Sequence, residues 1–236
     1  MFIYKGNSIE VYLDGPSLEE MKSIDKKLVD GFTFNPTLFK KLHAKDYISF
    51  SKEIVNLTKE KPVSLEVCSD DYEETLRQAR LLSNLGKNVY VKIPITFTSG
   101  VSTIDVIKTL ISEGIKLNIT AIFTLQQIKE IIKVISDTKT ILSVFAGRIY
   151  DLGIDAKAKL SEITNYVHDN SKCKLLWASP RMSYDLISAI ESNCDIITIQ
   201  NSLLAKANIF QKSSKEYSLE TVKMFYDDAM LANYKF

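Results

Sequence analysis

Lys92 is the residue with the clearest potential for covalent chemistry. It lies in residues 88–95, Asn-Val-Tyr-Val-Lys-Ile-Pro-Ile, a short run of β-forming residues that predicts a buried strand. Removing an ammonium group from water is costly, so a lysine is rarely buried without a partner or a chemical task. Desolvation in general lowers the pKa of a lysine, and the neutral amine can form a Schiff base with a carbonyl group. The alternative is a lysine at a strand end that reaches solvent.

Glu66 is a second candidate, because it interrupts the apolar run Leu65-Glu66-Val67. A carboxylate that points inward from a buried strand needs either a proton or a cationic partner. Lys92 lies on the next predicted strand and would be that partner. The two residues together predict a buried amine beside a carboxylate.

The hydrophobic pattern predicts the framework that must position these side chains. Short apolar segments predict eight strands, at residues 9–13, 31–34, 63–68, 88–95, 116–123, 140–145, 174–178 and 194–199. Apolar residues at helical spacing predict the helices that follow them, at about residues 17–28, 36–59, 72–86, 103–113, 125–135, 160–167, 186–190 and 219–229. The first helix has an N-cap at Ser17 and Glu20 three residues later.

Strands and helices that alternate eight times, without a break in composition, predict an α/β fold. We expect a closed (β/α)8 TIM barrel, a single domain over residues 1–236 with an extra C-terminal helix. The alternative is an open doubly wound sheet. That fold favours a Gly-rich phosphate loop after the first strand, and Asp14-Gly15-Pro16-Ser17 does not match the G-x-G-x-x-G pattern.

Functional groups of such a barrel lie at the C-terminal ends of its strands. The polar residues at or just beyond those ends are Asp14, Asn35, Glu66, Lys92, Asn118, Thr120, Ser143, Arg148 and Arg181. An amine nucleophile, two carboxylates, amides and hydroxyls for sugar hydroxyls, and guanidinium groups for phosphate are what an aldol reaction on a sugar phosphate requires. Structural roles are the alternatives: turn formation for Asp14 and Asn35, backbone hydrogen bonding for Asn118 and Thr120, and surface exposure for the arginines.

Six segments resemble the transaldolase family in its short-chain form, in the family's order and over nearly the whole chain. They are Asp30-Gly-Phe-Thr-Phe-Asn-Pro-Thr-Leu, Val91-Lys-Ile-Pro, Glu113-Gly-Ile-Lys-Leu-Asn-Ile-Thr-Ala-Ile-Phe, Ser143-Val-Phe-Ala-Gly-Arg-Ile-Tyr-Asp, Ala178-Ser-Pro-Arg and Leu219-Glu-Thr-Val-Lys-Met-Phe-Tyr-Asp-Asp-Ala. One departure is the segment 199–202, Ile-Gln-Asn-Ser, which replaces a Pro-containing turn of many relatives.

The resemblance implies a role for each matching catalytic residue. Lys92 matches the Schiff-base lysine, and Asp14 matches the acid/base that takes the proton from the donor's C4 hydroxyl. Glu66 and Thr120 match the pair that positions a water molecule for proton transfer during imine formation. No metal and no cofactor are implied for this chemistry.

The resemblance also implies a set of substrate-binding residues. Asn35 and Asn118 match residues that hold the dihydroxyacetone unit. Arg148 matches the phosphate-binding arginine of the Phe-x-Gly-Arg motif, with Ser143 beside it and Arg181 as a second phosphate contact. Phe145 and Ser179 complete the predicted site, although an aromatic at position 145 also suits core packing.

The leading functional hypothesis is a transaldolase that transfers a dihydroxyacetone unit between sugar phosphates. The nearest alternative is an aldolase related to fructose 6-phosphate aldolase, which releases free dihydroxyacetone. In that group a Gln tends to replace the Glu and a Tyr the Phe, so Glu66 and Phe145 favour the transferase. A third possibility is a non-catalytic barrel that binds a phosphosugar.

Composition limits the partners. The formal net charge is +1, with 30 basic and 29 acidic residues interspersed, which argues against nucleic acid or an anionic membrane as the main partner. Three cysteines without CxxC spacing suggest neither a disulfide framework nor a zinc site. No apolar signal segment or membrane span is predicted, so we expect a cytoplasmic protein acting on small sugar phosphates.

The end of the chain predicts self-association. Short transaldolases commonly assemble through the C-terminal helix, and aromatic residues are frequent here, namely Phe225, Tyr226, Tyr234 and Phe236. By resemblance we expect a homo-oligomer, such as a pentamer or a decamer.

Overall fold

Eight parallel strands close into a barrel in the computed structural model, which describes residues 1–25 and 27–235. Each strand pairs with the next along the chain, and the first barrel strand also pairs with the last. The strands, with the additional N-terminal strand β1, are β1 (Phe2–Tyr4), β2 (Asn7–Asp14), β3 (Gly31–Thr33), β4 (Val63–Glu66), β5 (Val89–Pro94), β6 (Leu117–Ile122), β7 (Ile141–Val144), β8 (Lys174–Trp177) and β9 (Ile196–Ile199). The predicted (β/α)8 TIM barrel is therefore confirmed.

Helices follow the barrel strands, and all the described α-helices except the last two have buried side chains that face the sheet. They are α1 (Leu18–Ser23), α2 (Pro36–Lys41), α3 (Tyr47–Thr58), α4 (Tyr72–Ser83), α5 (Ile104–Ser112), α6 (Leu125–Ile135), α7 (Ala146–Asp151), α8 (Ala156–Asn170), α9 (Asp185–Glu191), α10 (Asn201–Ala205) and α11 (Ser214–Ala232), with a 3-10 turn at Lys206–Ile209. Their buried aliphatic residues pack on the outward side chains of the strands, which forms the main core.

The barrel interior follows from the two-residue period of the strands. Part of the interior is filled by a small apolar cluster, Tyr12, Ile141, Leu176, Ala178 and Ile196. Toward the C-terminal ends of the strands, most positions of the same parity are polar. They include Asp14, Thr33, Glu66, Lys92, Asn118, Thr120, Ser143 and Thr198. The alternation therefore directs the polar side chains of neighbouring strands toward one space.

The N-terminal hairpin was not predicted. Strand β1 pairs antiparallel with β2, and Tyr4 faces Asn7 across a two-residue turn. Lys5 and Gly6 both have positive φ angles, 48° and 84°, as a type I′ hairpin turn requires. Three apolar residues before such a turn are too few for a periodic signal.

Two of the predicted helical segments differ from the structure, and one helix beside the cavity was not predicted. The helix that begins after Ser17 ends at Ser23 instead of near residue 28, because the backbone of Ile24 is extended, with φ -66° and ψ 140°; Leu28 is largely exposed. The region predicted as one helix up to residue 59 is divided into α2 and α3, since Asp46 caps a new helix. Helix α7 was not predicted.

Helix α11 has no buried residue in the described chain. Its exposed large apolar side chains include Leu219, Val222, Phe225 and Leu231. Phe236, the last residue of the predicted aromatic tail, lies outside the described residues. No helix within residues 1–25 and 27–235 is long and apolar enough to cross a bilayer.

Candidate active site

Lys92 points into the barrel from β5 and is 6% exposed. The register of the parallel strands sets it beside Glu66 of β4. The Lys92 Nζ atom lies 2.9 Å from Glu66 Oε2 and 3.4 Å from the carbonyl oxygen of Phe34. The predicted pairing of a buried amine with Glu66 is therefore present. A carboxylate at hydrogen-bonding distance can both hold the ammonium form and accept its proton.

Asp14 ends β2 at the same end of the barrel. Its Oδ1 atom accepts a hydrogen bond of 2.8 Å from the hydroxyl of Thr33. Burial raises the pKa of Asp14, against the opposing effects of the Lys92 ammonium and the Thr33 hydroxyl. A carboxyl group whose pKa lies above its usual range is better suited to accept and return a proton than an ordinary surface aspartate.

Thr120 lies on β6 at an irregular point of the ladder. The pairing of β6 with β7 shifts register between Ile119 and Ile122, and Ala121 has a φ of 60°. Such bulges re-aim neighbouring side chains. The hydroxyl of Thr120 is buried and has no hydrogen-bond partner within the described part of the chain, although it lines the cavity that contains Lys92. It is thus available to a bound molecule.

Asn118 makes hydrogen bonds to two serine side chains. The Asn118 Nδ2 atom donates to Ser64 Oγ at 3.0 Å, and its Oδ1 atom accepts from Ser143 Oγ at 2.7 Å. Asn118 is fully buried, and Ser143 lines the cavity while Asn118 does not. The structure therefore gives Asn118 a contact with the cavity only through Ser143.

Asn35 uses one end of its amide for the protein. Its Oδ1 atom accepts a hydrogen bond of 2.9 Å from the backbone N–H of Leu38 and so caps α2. This capping interaction fixes the side chain at the cavity wall. The capping bond does not use the amide nitrogen of Asn35, which can donate to a ligand.

The two predicted phosphate arginines lie on one side of the cavity. Arg148, on α7, makes no salt bridge among the described residues, and its guanidinium lies 5.6 Å from the ring centre of Phe145. Arg181 forms a two-pronged ion pair with Asp151. Arg148 is exposed and could bind a ligand anion without breaking a salt bridge within the described residues, whereas Arg181 could not.

Gly147 allows the close approach of two loops on this side. A β-carbon at position 147 would lie 1.6 Å from the carbonyl oxygen of Ser179, whose backbone has a φ of 60°. The peptide of Ser179 can thus rest on the first turn of α7 only because residue 147 has no side chain. This contact fixes Ser179 and Arg181 relative to Arg148.

We expect Gly147→Ala to lower the free energy of unfolding by about 3 kcal/mol, because backbone must move to relieve the clash. Urea denaturation of the purified protein measures the change. Gly114→Ala is the matched control. Gly114 has a φ of 75°, and a methyl group added there would meet no atom within 4 Å, so only backbone strain of about 1 kcal/mol is expected. Equal losses in the two variants would contradict the close-packing argument.

A cavity of about 130 Å³ opens between these residues at the C-terminal end of the barrel. All the predicted site residues line it except Glu66 and Asn118, which contact the lining residues Lys92 and Ser143. The lining residues from the prediction are Asp14, Asn35, Lys92, Thr120, Ser143, Phe145, Arg148, Ser179 and Arg181. Larger cavities exist, but Lys92 lines none of the four described, of which one shares Asp14 and Gln200 with the site.

Sequence reasoning missed three polar lining residues, Thr33, Thr198 and Gln200. Thr33 lies two residues before Asn35 and Gln200 two residues after Thr198, so the strand period alone could have found them. Among the described residues, no three His, Cys, Asp or Glu side chains are grouped as a metal site would require.

The fold and the cavity together define a (β/α)8 barrel with a lysine–carboxylate pair buried at its C-terminal end. The sequence matches the model of the family described as Transaldolase/Fructose-6-phosphate aldolase over residues 11–234. The chain belongs to this family.

Curated relatives support the family assignment by sequence identity, and solved structures support the barrel fold. A protein named probable transaldolase from Carboxydothermus hydrogenoformans is 34% identical over 84% of this chain and 89% of its own length. Another of the same name, from Bartonella henselae, is 31% identical over 83% of this chain and 87% of its own length. A solved 2,3-dimethylmalate lyase is similar with a TM-score of 0.60 at 13% identity, over 92% of this chain and 83% of that one, which supports the barrel fold alone.

Proposed function

We propose that this chain is a transaldolase that transfers a dihydroxyacetone unit through a Schiff base on Lys92. The donor would be sedoheptulose 7-phosphate or fructose 6-phosphate, and the acceptor glyceraldehyde 3-phosphate or erythrose 4-phosphate. The observation that carries the proposal is the buried Lys92 amine, 2.9 Å from Glu66 in a cavity that Asp14 and Thr120 also line. Family membership supports the same class of reaction.

Imine formation needs a neutral amine and a route for protons. Glu66 would take a proton from Lys92, and the hydroxyl of Thr120, on the neighbouring strand β6, would hold a water molecule. The amine then attacks the C2 carbonyl of the ketose. Protonation of the resulting carbinolamine oxygen releases water and leaves a cationic imine.

Cleavage follows when Asp14 takes the proton of the C4 hydroxyl. The C3–C4 bond breaks, its electron pair moves toward the imine to form an enamine, and the C4 oxygen becomes an aldehyde carbonyl. The shortened aldose phosphate leaves and an acceptor aldehyde takes its place. The enamine carbon attacks that aldehyde, Asp14 returns its proton to the new alkoxide, and water then hydrolyses the imine.

Binding groups surround this reaction path. The Asn35 amide nitrogen and the Ser143 hydroxyl would hold the hydroxyls of the three-carbon unit, with Asn118 fixing Ser143. Arg148 would bind the substrate phosphate, assisted by Arg181 and by Ser179. Phe145, beneath the Arg148 guanidinium, would form an apolar wall.

The test is a product analysis with fructose 6-phosphate as donor, with and without erythrose 4-phosphate. A transaldolase yields sedoheptulose 7-phosphate and glyceraldehyde 3-phosphate only when the acceptor is present. Release of free dihydroxyacetone without an acceptor would instead identify a simple aldolase. If borohydride with fructose 6-phosphate traps no adduct while the sugar phosphate still binds, the chain is a non-catalytic phosphosugar-binding barrel.

We also propose that the active form is a cytoplasmic, single-domain homo-oligomer, such as a pentamer or a decamer. Helix α11 supports this part of the proposal, because its apolar side chains are exposed along its length. Apolar patches of this kind are typical of protein–protein interfaces.

A further inference from the structure

Two threonines with no role so far flank Asp14 in the barrel wall. Strand β2 lies between β3 and β9, and its register sets Asp14 against Thr33 on one side, while Thr198 faces Tyr12 on the other. Thr33 is 2% exposed and Thr198 5% exposed, and both residues line the cavity that contains Lys92. The Thr33 hydroxyl contacts both Asp14 Oδ1, at 2.8 Å, and the Thr198 hydroxyl.

Each threonine hydroxyl has one hydrogen atom, and this fixes which group donates in each of the two hydrogen bonds. Thr33 has a single hydroxyl hydrogen, which it donates to the ionised carboxylate of Asp14. Its contact with Thr198 must then be one in which Thr198 donates and Thr33 accepts. When Asp14 carries a proton, both bonds can reverse, with Asp14 donating to Thr33 and Thr33 donating to Thr198.

We propose that Thr198 is a positioning residue for the acid/base Asp14, acting through Thr33 as a two-hydroxyl chain that serves both protonation states of the carboxyl group. Thr198 lines the cavity, and its side-chain hydrogen bond is to Thr33, so we place its effect on the orientation and basicity of Asp14. The donated bond from Thr198 polarises the Thr33 hydroxyl and strengthens its bond to the carboxylate. The inference rests on the proposed function, because it gives Asp14 the proton-transfer role.

The charged groups around Asp14 do not change when a threonine hydroxyl is removed, so the contribution of the two hydroxyls to the pKa of Asp14 can be measured separately. Lys92 on β5 and Lys41 on α2 lower the pKa of Asp14, and Glu66 on β4 raises it. Strands β3 and β9, which flank Asp14, carry no titratable side chain. Replacing Thr198 with valine therefore removes one hydroxyl while keeping a similar shape, and it changes no charge.

The experiment compares Thr198→Val with Thr198→Ser, which keeps the hydroxyl. Two readouts are used: the pH dependence of kcat/KM, and the titration of the Asp14 carboxyl carbon by 13C NMR, assigned with Asp14→Asn. We expect Thr198→Val to move the acidic limb of the profile and the NMR titration to higher pH, because the charge-assisted bond to the ionised carboxylate loses more support than the neutral bond of the protonated acid. At a pH on that limb, kcat/KM should fall about fivefold, the factor for one net hydrogen bond.

Thr198→Ser should keep both titrations at the pH of the parent protein. Titrations that are unmoved in Thr198→Val, or moved equally in both variants, would overturn the proposal in favour of simple packing. The NMR titration needs no turnover, so it tests the hydroxyl chain even if borohydride fails to trap Lys92 in the parent. A failed trapping experiment would count against the proposed function, and an unmoved titration against the hydroxyl chain.

Discussion

Lys92→Ala is expected to reduce transaldolase turnover below about 1% of the parent activity, because covalent catalysis supplies most of the barrier reduction in this mechanism. Without the amine no imine forms, and the C3–C4 bond has no electron-withdrawing group to accept its electrons. The rate of product formation from fructose 6-phosphate and erythrose 4-phosphate measures the loss. Activity well above that level would contradict the Schiff-base role.

The fold must survive for this result to be informative. Removing the ammonium leaves the Glu66 carboxylate without its partner, at a cost of about 3 kcal/mol in unfolding free energy. The double variant Lys92→Ala with Glu66→Gln removes the stranded charge and should recover part of that stability. Urea denaturation of both variants therefore separates a lost nucleophile from a lost structure.

A lysine-to-alanine variant on the surface controls for effects of removing a lysine that do not depend on the active site. Lys108 lies on α5, is half exposed and pairs with Asp105 three residues earlier. Lys108→Ala should keep the parent activity, because an exposed pair of this kind contributes little. Borohydride in the presence of fructose 6-phosphate should label the Lys92 peptide of this variant and of the parent, and no peptide of Lys92→Ala.

The pairing of Lys92 with Glu66 shows what the sequence could predict. Each residue interrupts an apolar run on neighbouring strands, so burial and the two-residue period were enough to expect an inward pair. The positions of the strands could also be predicted from the sequence, because residues typical of turns, including Gly and Pro, flank most of the apolar segments. Most predicted strands therefore match the structure to within two residues.

The features that escaped prediction depend on contacts distant in sequence or on local backbone geometry. Thr33 and Thr198 meet across 165 positions, only because the barrel closes between β2 and β9. The bulge at Ala121 gives no compositional signal, since alanine rarely has a positive φ. Helix α7 is short, and its position is set by the contact between Gly147 and Ser179. Periodicity could place Thr33 and Thr198 on the inward faces of their strands, but neither periodicity nor residue type predicts that their hydroxyls meet, the bulge at Ala121 or the position of α7.

Asp14→Asn is expected to lower kcat by about 10²- to 10⁴-fold, the usual contribution of a general acid/base. The amide oxygen of asparagine can still accept the hydrogen bond from Thr33, so the shape of the site is kept. An amide cannot take the C4 hydroxyl proton, so bond cleavage should become slow while imine formation on Lys92 continues. Parallel kinetic assays of the parent and the variant measure the loss.

Exposed Asp105 on α5 provides the matched control, because Asp105→Asn makes the same chemical change at a residue that does not line the cavity and should keep the parent activity. The pH profile gives a second check on Asp14. Burial raises the pKa of this carboxyl group, so parent activity should fall as the pH drops through that pKa and the base becomes protonated. Asp14→Asn should lose this acidic limb.

The mass of the trapped adduct decides which step Asp14 serves. In the parent protein, borohydride should reduce a three-carbon adduct on Lys92, since cleavage has already released the aldose phosphate. In Asp14→Asn, the imine of the intact ketose phosphate should accumulate, and the same peptide should carry the whole six-carbon phosphate. A three-carbon adduct formed at the parent rate would show that another group takes the C4 proton, whereas no adduct at all would place Asp14 before imine formation.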